Sequence, residues 1–315
     1  MIRIPLTVSF YKNKSHSRFY SSYILEYVWI DGRGNLRSKC RTAYPTFDSG
    51  GGGNSNSYIV AKDWNYDGSS THQTFSTENG EMALIPVAHF LNPFFDPGRA
   101  FLILCETRFS DGTPAETNFR CDAVKVFDAG ARKQDPRFAI EQKCFVPEFL
   151  TVNLRTLAEK HYEYCLQAGI KIAGINVEVA PSQWEFQIGP CSCIDAGDHL
   201  WVARYILHKL GEEFAVCISF KSGPTSNSCT LNTTFSTEES RSKDGLKCIY
   251  KYIDRLWKKH AHDAAGMQFG AASIHVPKSV LKAGCGYLED RRSPSYADPY
   301  QVIAAIFSGA CICAR

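Results

Sequence analysis

The amino-acid sequence predicts an α+β fold that combines an antiparallel sheet with helices. The first hundred or so residues contain strand-like runs separated by turn signals. Beyond Arg120, amphipathic helices and strand-like runs follow each other without a strict β-α order. A doubly wound fold requires that strict order, so the sequence favours an α+β architecture instead.

The N-terminal strands are marked by β-branched and aromatic residues. Tyr23 to Ile30 is predicted to be a buried strand, and Asp31-Gly32 is predicted to turn the chain after it. Phe101 to Glu106 is a second apolar strand, followed by a turn at Ser110 to Gly112. The glycine-rich stretch from Gly50 to Ser57 is predicted to be a surface loop.

Three helices are predicted from apolar residues spaced three and four apart, over Asp198 to Phe214, Gly245 to His260 and Val302 to Cys311. Pro299 is expected in the first turn of the last helix, directly after Asp298. Strand-like runs occupy much of the rest of this part of the chain: Arg137 to Val146, Ile170 to Val179, Gln183 to Ile188 and Val216 to Phe220.

Composition excludes several classes of protein. Of the 315 residues, 44% are hydrophobic and 21% charged, as in ordinary globular domains. No apolar run reaches the roughly 18 residues of a membrane helix, and a net charge of +3 does not indicate nucleic acid as a partner. In a chain of this size, the 13 cysteines are interpreted as buried apolar thiols of a reducing compartment. Neither Cys-x-Cys pair (Cys191 and Cys193, Cys311 and Cys313) has a second pair at zinc-site spacing, so no metal role is predicted for them.

The N-terminal segment is basic and rich in serine, and its first acidic residue is Glu26. Residues 1–22 are interpreted as a basic tail, with a mitochondrial presequence as the alternative. The predicted location is therefore the cytoplasm, with the mitochondrion as the alternative.

Two glutamates lie in the segment from Gly174 to Pro190. If Pro181-Ser182 form a two-residue turn, Glu178 and Glu185 lie opposite each other on one face of a hairpin. Facing carboxylates repel unless a positive charge lies between them, which makes the pair a candidate Mg²⁺ or Mn²⁺ site. The alternative is a solvated polar face.

This segment resembles the metal-binding strands of the glutamine synthetase family of eukaryotic, animal-like type. Four further segments resemble motifs of that family and occur in the same order: Tyr27 to Gly32, Trp64 to Thr71, Pro114 to Arg120 and Gly286 to Arg292. The resemblance extends over about residues 23 to 303.

The resemblance implies a fold and an activity. It implies a β-grasp domain at residues 23–118 and a catalytic-type domain with a curved antiparallel sheet at 119–315. The family uses ATP to join ammonium to glutamate through γ-glutamyl phosphate. Its members are rings in which one subunit's β-grasp domain completes the neighbouring subunit's site.

The resemblance also assigns roles to residues. The metal-ligand acids correspond to Glu141, Glu178, Glu185 and Glu289. Arg291 corresponds to an arginine that binds substrate or phosphate, and Arg292 is assigned with it to the ATP site. Asp67 corresponds to the acid that binds and deprotonates ammonium.

Other family features are missing from this chain. Four functional positions are substituted: Lys143 replaces the second acid of a Glu-x-Glu strand, Asn232 replaces a metal-ligand histidine, and Gly270 and His275 replace arginines. A loop of the family is reduced to Ser226 to Cys229. Two blocks are absent, one between Phe145 and Ala158 and the other between His262 and Gly266.

These departures predict impaired metal binding and weak or absent ligase activity. Lys143 follows Glu141 by two residues on a strand, so both side chains share a face, and the ammonium group would repel a cation. The alternatives are a catalytically dead structural or regulatory paralogue that co-assembles with an active synthetase, or a truncated product of splicing or gene prediction.

Overall fold

The computed structural model describes residues 6–10, 20–47, 57–74, 80–146, 154–177, 183–221, 230–263 and 274–312. The chain forms two compact units. The first comprises Met1–Cys121 and Tyr164–Ile170, and the second comprises Asp122–Glu163 and Lys171–Arg315. No helix among the described residues has both the length and the apolar character needed to cross a bilayer.

The first unit is built from strands. They are β1 (Leu6–Phe10), β2 (Tyr23–Ile30), β3 (Leu36–Ala43), β4 (Thr46–Phe47), β5 (Ser57–Ala61), β6 (Trp64–Asp67), β7 (Glu81–Leu91) and β8 (Ala100–Phe109). Five of them form a mixed sheet in the order β3-β2-β8-β7-β6, in which only the β2–β8 pair is parallel. A second described sheet has the order β1-β5-β4.

The apolar strands predicted from the sequence form the core of this unit. Tyr27, Leu84 and Ile103 are fully enclosed, and the Tyr27 hydroxyl donates a hydrogen bond to the Lys62 carbonyl oxygen. The prediction of a strand at Tyr23 to Ile30 is confirmed at both ends. A mixed sheet therefore occupies the region predicted to be a β-grasp domain.

Part of the segment interpreted as a tail is folded. Leu6–Phe10 pairs antiparallel with β5, and Val8 is buried against the core. The tail interpretation is therefore wrong for these five residues. Their alternation of apolar and small polar side chains suits an edge strand with one buried face.

The second unit contains a six-stranded sheet among its described residues. Its strands are β9 (Arg137–Phe145), β10 (Ile172–Val177), β11 (Gln183–Ser192), β12 (Leu231–Ser236), β13 (Ile274–His275) and β14 (Leu288–Asp290). Their order is β10-β11-β9-β12-β14-β13, and every neighbouring pair is antiparallel. The predicted α+β class with an antiparallel sheet is confirmed.

The described helices all follow β8 along the chain. They are α1 (Phe119–Asp128), α2 (Leu154–Gln167), α3 (Asp195–Glu213), α4 (Glu238–Arg241), α5 (Leu246–Asp263), α6 (Lys278–Ala283) and α7 (Pro299–Cys311), with a short 3-10 helix at Ala131–Lys133. The three predicted helices are confirmed as α3, α5 and α7. Asp298 caps α7 by accepting hydrogen bonds from the amides of Tyr300 and Gln301.

Two expectations were wrong or incomplete. Val216 to Phe220 is not a strand, because it pairs with the sheet at a single bridge between Phe145 and Ser219. Its alternating apolar side chains, Val216 and Ile218, are nevertheless buried.

Helix α2 was not predicted, because its inward-facing positions include weakly apolar residues such as Ala158. The predicted loop from Gly50 lies outside the described residues, apart from Ser57 in β5.

Candidate functional site: a charged sheet face

One face of the second unit's sheet carries most of the residues that the sequence assigns to a metal site. Glu141 and Lys143 lie on β9, Glu185 on β11, Asn232 on β12 and Glu289 on β14. Direct cross-strand pairing places Glu185 beside Lys143 and Asn232 beside Glu141. The strand period of two therefore brings these side chains to one face, which we call the charged face.

The opposite face of the same strands is mostly apolar and anchors them. Its residues alternate with those of the charged face and are almost completely enclosed: Phe138, Ile140, Phe186, Ile188, Leu231, Phe235 and Leu288. A shift of one residue in any strand would move these side chains out of the core. The apolar face thereby fixes which side chains reach the charged face.

Lys143 and Glu185 form an ion pair at the charged face. The Lys143 Nζ atom lies 3.5 Å from Glu185 Oε2, and the two side chains are only 16% and 8% exposed. Gln187 donates a hydrogen bond of 3.3 Å to the other carboxylate oxygen, Oε1. The Glu185 charge is therefore compensated by groups of the protein itself.

Glu141 is bound by an amide group. Asn232 Nδ2 donates a hydrogen bond of 2.7 Å to Glu141 Oε1, while Asn232 Oδ1 accepts a hydrogen bond of 2.7 Å from the Thr230 hydroxyl. The amide therefore presents its N–H group to the carboxylate and its oxygen to Thr230.

Glu289 lies between two basic side chains. Arg291 Nε donates a hydrogen bond of 2.8 Å to its Oε1, and His275 Nε2 lies 3.0 Å from its Oε2. The hydrogen bond to Glu289 raises the pKa of Arg291 above its ordinary value. The predicted substrate arginine is thus held by a predicted metal ligand.

Arg292 has a different environment from Arg291. Its guanidinium group binds both carboxylate oxygens of Asp290, with Nη2 to Oδ2 at 2.6 Å and Nε to Oδ1 at 2.9 Å. Asp290 is buried and alternates with Glu289 along β14, so it lies on the other side of the strand. The contact with Asp290 therefore holds the Arg292 guanidinium group away from the charged face.

A buried arginine that sequence reasoning missed anchors the chain after Arg292. Arg204 on α3 donates hydrogen bonds to Gln142 Oε1 on β9 and to the carbonyl oxygens of Ser295 and Ala297. Burial lowers the pKa of Arg204 to about 10. The signal in the sequence was a cation within the apolar pattern of α3, and only the fold shows its partners.

Asp67 belongs to the first unit, where β6 ends. It is exposed, and its Oδ1 accepts hydrogen bonds from the Ser69 hydroxyl at 2.7 Å and the Ser69 amide at 2.9 Å. These hydrogen bonds hold the pKa of Asp67 below its ordinary value. Asp67 is therefore ionised and fixed in direction by its own loop.

The predicted hairpin register is wrong. Asn176, and not Glu178, lies opposite Glu185 in the described part of the β10–β11 pair. A shift of two residues leaves every side chain on its predicted face, so the apolar pattern could not distinguish the two registers. Glu178, Gly270, the Pro181-Ser182 turn and Ser226 to Cys229 lie outside the described residues.

The described residues of the charged face do not fit a divalent cation. Mg²⁺ and Mn²⁺ bind oxygen atoms of carboxylates, carbonyls and water. Here Glu185 faces an ammonium group, Glu141 an amide N–H group and Glu289 a guanidinium group. No group of three or more His, Cys, Asp or Glu residues suited to hold a metal occurs in the described ranges.

Comparison with known proteins identifies the family. The chain is 36% identical to glutamine synthetase of Emericella nidulans, with 92% of this chain and 93% of that protein covered. It is 38% identical to glutamine synthetase of Saccharomyces cerevisiae (91% and 89% covered) and 36% identical to that of Tuber borchii (92% of each covered). The chain belongs to the glutamine synthetase family.

Two further results qualify this similarity. No protein-family model matches the chain. The alignment with the Emericella nidulans protein runs over 342 positions, which is more than the 315 residues of this chain. That relative therefore carries residues for which this chain has no counterpart.

Proposed function

We propose that this chain is a glutamine synthetase family protein with weak or absent ligase activity of its own. The family reaction phosphorylates the side-chain carboxylate of glutamate with ATP and then lets ammonia displace the phosphate. The Lys143–Glu185 ion pair carries the proposal. It places a cation at position 143, where the resemblance expects a metal-ligand acid beside Glu185.

Charge at the charged face supports this proposal. Binding of ATP and transfer of its phosphoryl group need free cationic groups, and losing an arginine that stabilises the transferring group costs about 10³- to 10⁵-fold in rate. Arg291 is held by Glu289, and His275 stands where the resemblance expects another arginine. Fewer free cationic groups are then available to substrates.

A glutamine-formation assay tests the proposal. The purified full-length chain is supplied with ATP, glutamate and ammonium, with either Mg²⁺ or Mn²⁺, beside an active synthetase of the animal type. We expect a rate at least about 10³-fold below that of the active enzyme. A rate within tenfold of it would contradict the proposal.

A restored variant separates two causes of low activity. Lys143→Glu combined with Asn232→His returns two side chains to the types that the family uses. A large gain in rate would assign the deficit to these substitutions. A variant that stays inactive would assign it to the remaining departures, which are Gly270, His275, the shortened loop and the two missing blocks. Sequencing transcripts across both block junctions would show whether a longer product exists.

The retained Asp67 loop favours a second candidate function. Asp67 is exposed, ionised and fixed by Ser69, although the charged face of the second unit is altered. A catalytically dead subunit could therefore still supply this acid to the site of an active neighbour.

We also propose that the chain is located in the cytoplasm, with the mitochondrion as the alternative. Fractionation of cells expressing a tagged chain tests this location.

A further inference from the structure

We infer that the charged face is neutralised by the protein's own side chains, with Lys143 as an internal cation, so that the second unit folds without a divalent cation. The inference rests on the proposed function in one respect, since both start from the substitution at Lys143. It concerns what stabilises the sheet, and it holds or fails independently of any measured rate.

The Lys143–Glu185 pair carries most of this inference. Glu185 is nearly buried, and an ionised carboxylate in that position is costly unless a positive charge lies close to it. The ammonium group lies 3.5 Å away on the directly paired residue of the neighbouring strand. The cross-strand register of β9 and β11 therefore holds the cation beside its anion.

Asn232 and Thr230 extend the same arrangement to Glu141. A histidine at position 232 would offer a ring nitrogen as a metal ligand, whereas the amide offers hydrogen atoms to Glu141. The Thr230 hydroxyl fixes the orientation of this amide by donating to its oxygen. The Glu141 carboxylate is thus stabilised by a hydrogen bond where the family would use a cation.

Arg291 completes the neutralisation at Glu289, and His275 contacts the same carboxylate. Both side chains contact its carboxylate, one oxygen each. Each of the three described acids of the charged face thereby has a nitrogen-bearing partner from another residue of the sheet or of the segment directly after β14. The arrangement is connected through strand pairing and needs no ion to hold it together.

Reversing the substitutions should make the second unit dependent on a metal. Lys143→Glu removes the internal cation and adds a third carboxylate beside Glu141 and Glu185, so repulsion should lower the melting temperature in the absence of metal. With Asn232→His added, an imidazole joins these three neighbouring carboxylates, and together they form a set that Mn²⁺ binds. Binding to the folded state alone then raises the melting temperature.

Thermal unfolding and calorimetric titration of the full-length chain test the inference, with Mn²⁺ as the probe. For the wild type we expect a melting temperature that differs by less than about 1 °C between chelator and saturating Mn²⁺, and no tight stoichiometric binding. For the Lys143→Glu, Asn232→His variant we expect saturating Mn²⁺ to raise it by about 5 °C. Lys251→Glu, on the exposed surface of α5, is the matched control and should show no response to Mn²⁺.

Three further variants keep the test decisive if the double variant does not fold. Lys143→Met should lower the melting temperature in chelator by several degrees, and Lys143→Arg should largely restore it because the charge is kept. Adding Glu185→Gln to Lys143→Met should recover stability, because no unpaired charge remains. Tight binding of Mn²⁺ by the wild type, or a loss of its stability in chelator, would overturn the inference. Glutamine formation by a wild type that needs no metal for folding would overturn only the proposed function.

Discussion

At the scale of single residues, the protein buries charged side chains together with partners that it supplies itself. Lys143 compensates Glu185 at the charged face, and Arg204 binds three oxygen acceptors in the interior. Such groups are costly to bury and are tolerated because a group of opposite charge or a hydrogen-bond partner lies beside each of them. Removing one partner leaves the other uncompensated. The contribution of each contact to stability can therefore be tested by substitution.

Arg204 is the first such test. Arg204→Met keeps the side chain's bulk but removes the donors to Gln142, Ser295 and Ala297, so we expect the free energy of unfolding to fall by about 3–5 kcal/mol. Urea denaturation measures this change. Arg155→Met is the matched control, because Arg155 is 66% exposed, and it should change stability by no more than about 0.5 kcal/mol. Equal effects of the two substitutions would contradict the buried role.

His161 predicts a pH dependence of stability. It is buried, its Nε2 contacts the Ala203 carbonyl oxygen at 3.0 Å, and burial lowers its pKa to about 4. The unfolded chain binds a proton near pH 6.5, and the folded chain does so only near pH 4. The neutral ring therefore contributes stability that is complete above pH 6.5 and is lost as the pH falls from 6.5 to 4.

The His161→Gln variant isolates this contribution. Glutamine can still donate to the Ala203 carbonyl oxygen but does not titrate in this range. Between pH 7 and pH 4 the wild type should lose about 3 kcal/mol more unfolding free energy than the variant. Denaturation curves at several pH values measure the difference, and parallel losses in both proteins would refute the assignment.

At the scale of elements, a glycine turn supports the loop that carries Asp67. The Gly32 amide donates to the Thr71 carbonyl oxygen, and a Cβ atom on Gly32 would lie 1.9 Å from the His72 carbonyl oxygen. Gly32→Ala must therefore displace the segment after Asp67. We expect a loss of about 1–3 kcal/mol in stability and faster cleavage in this loop by a protease. Gly34→Ala is a control for strain alone, because its φ is positive but no atom lies near its Cβ position.

Sequence patterns predicted elements well where local periodicity alone decides the structure. The strand at Tyr23 to Ile30 and helices α3, α5 and α7 follow from their apolar spacing. The pattern failed where tertiary pairing decides. Val216 to Phe220 alternates like a strand but meets the sheet at one bridge, and the β10–β11 register differs by two residues from that predicted. Both registers bury the same side chains, so only the turn selects between them.

The candidate site was predictable in a similar way. Strand alternation places Glu141 and Lys143 on one face without any structure. The pairing of Lys143 with Glu185, the orientation of the Asn232 amide and the partners of Arg204 depend on strands and helices that are distant in sequence. These contacts could not be predicted from the sequence, because they form only when the distant elements are brought together in the fold.

At the scale of the whole molecule, the two units differ in what they retain. The described part of the first unit keeps Asp67 exposed and fixed by its loop, whereas the second unit's charged face is neutralised internally. The resemblance to the family implies a ring in which an acid of one subunit completes the site of its neighbour. Under the co-assembly proposal, this chain would donate Asp67 to a neighbouring active subunit, and that consequence can be tested.

Mixed assembly tests that consequence. We expect the tagged chain, co-expressed with an active synthetase of the animal type, to co-purify with it in one ring-sized species by size-exclusion chromatography with light scattering. Asp67→Ala in this chain should leave that species intact but lower its glutamine formation per active subunit, because some active sites lose their donated acid. Asp111→Ala is a closely matched control, since the Asp111 carboxylate is also exposed and accepts hydrogen bonds from the Thr113 hydroxyl and amide as Asp67 does from Ser69. Absence of a mixed species, or equal activity with either substitution, would show that the chain does not act through Asp67 in a shared ring.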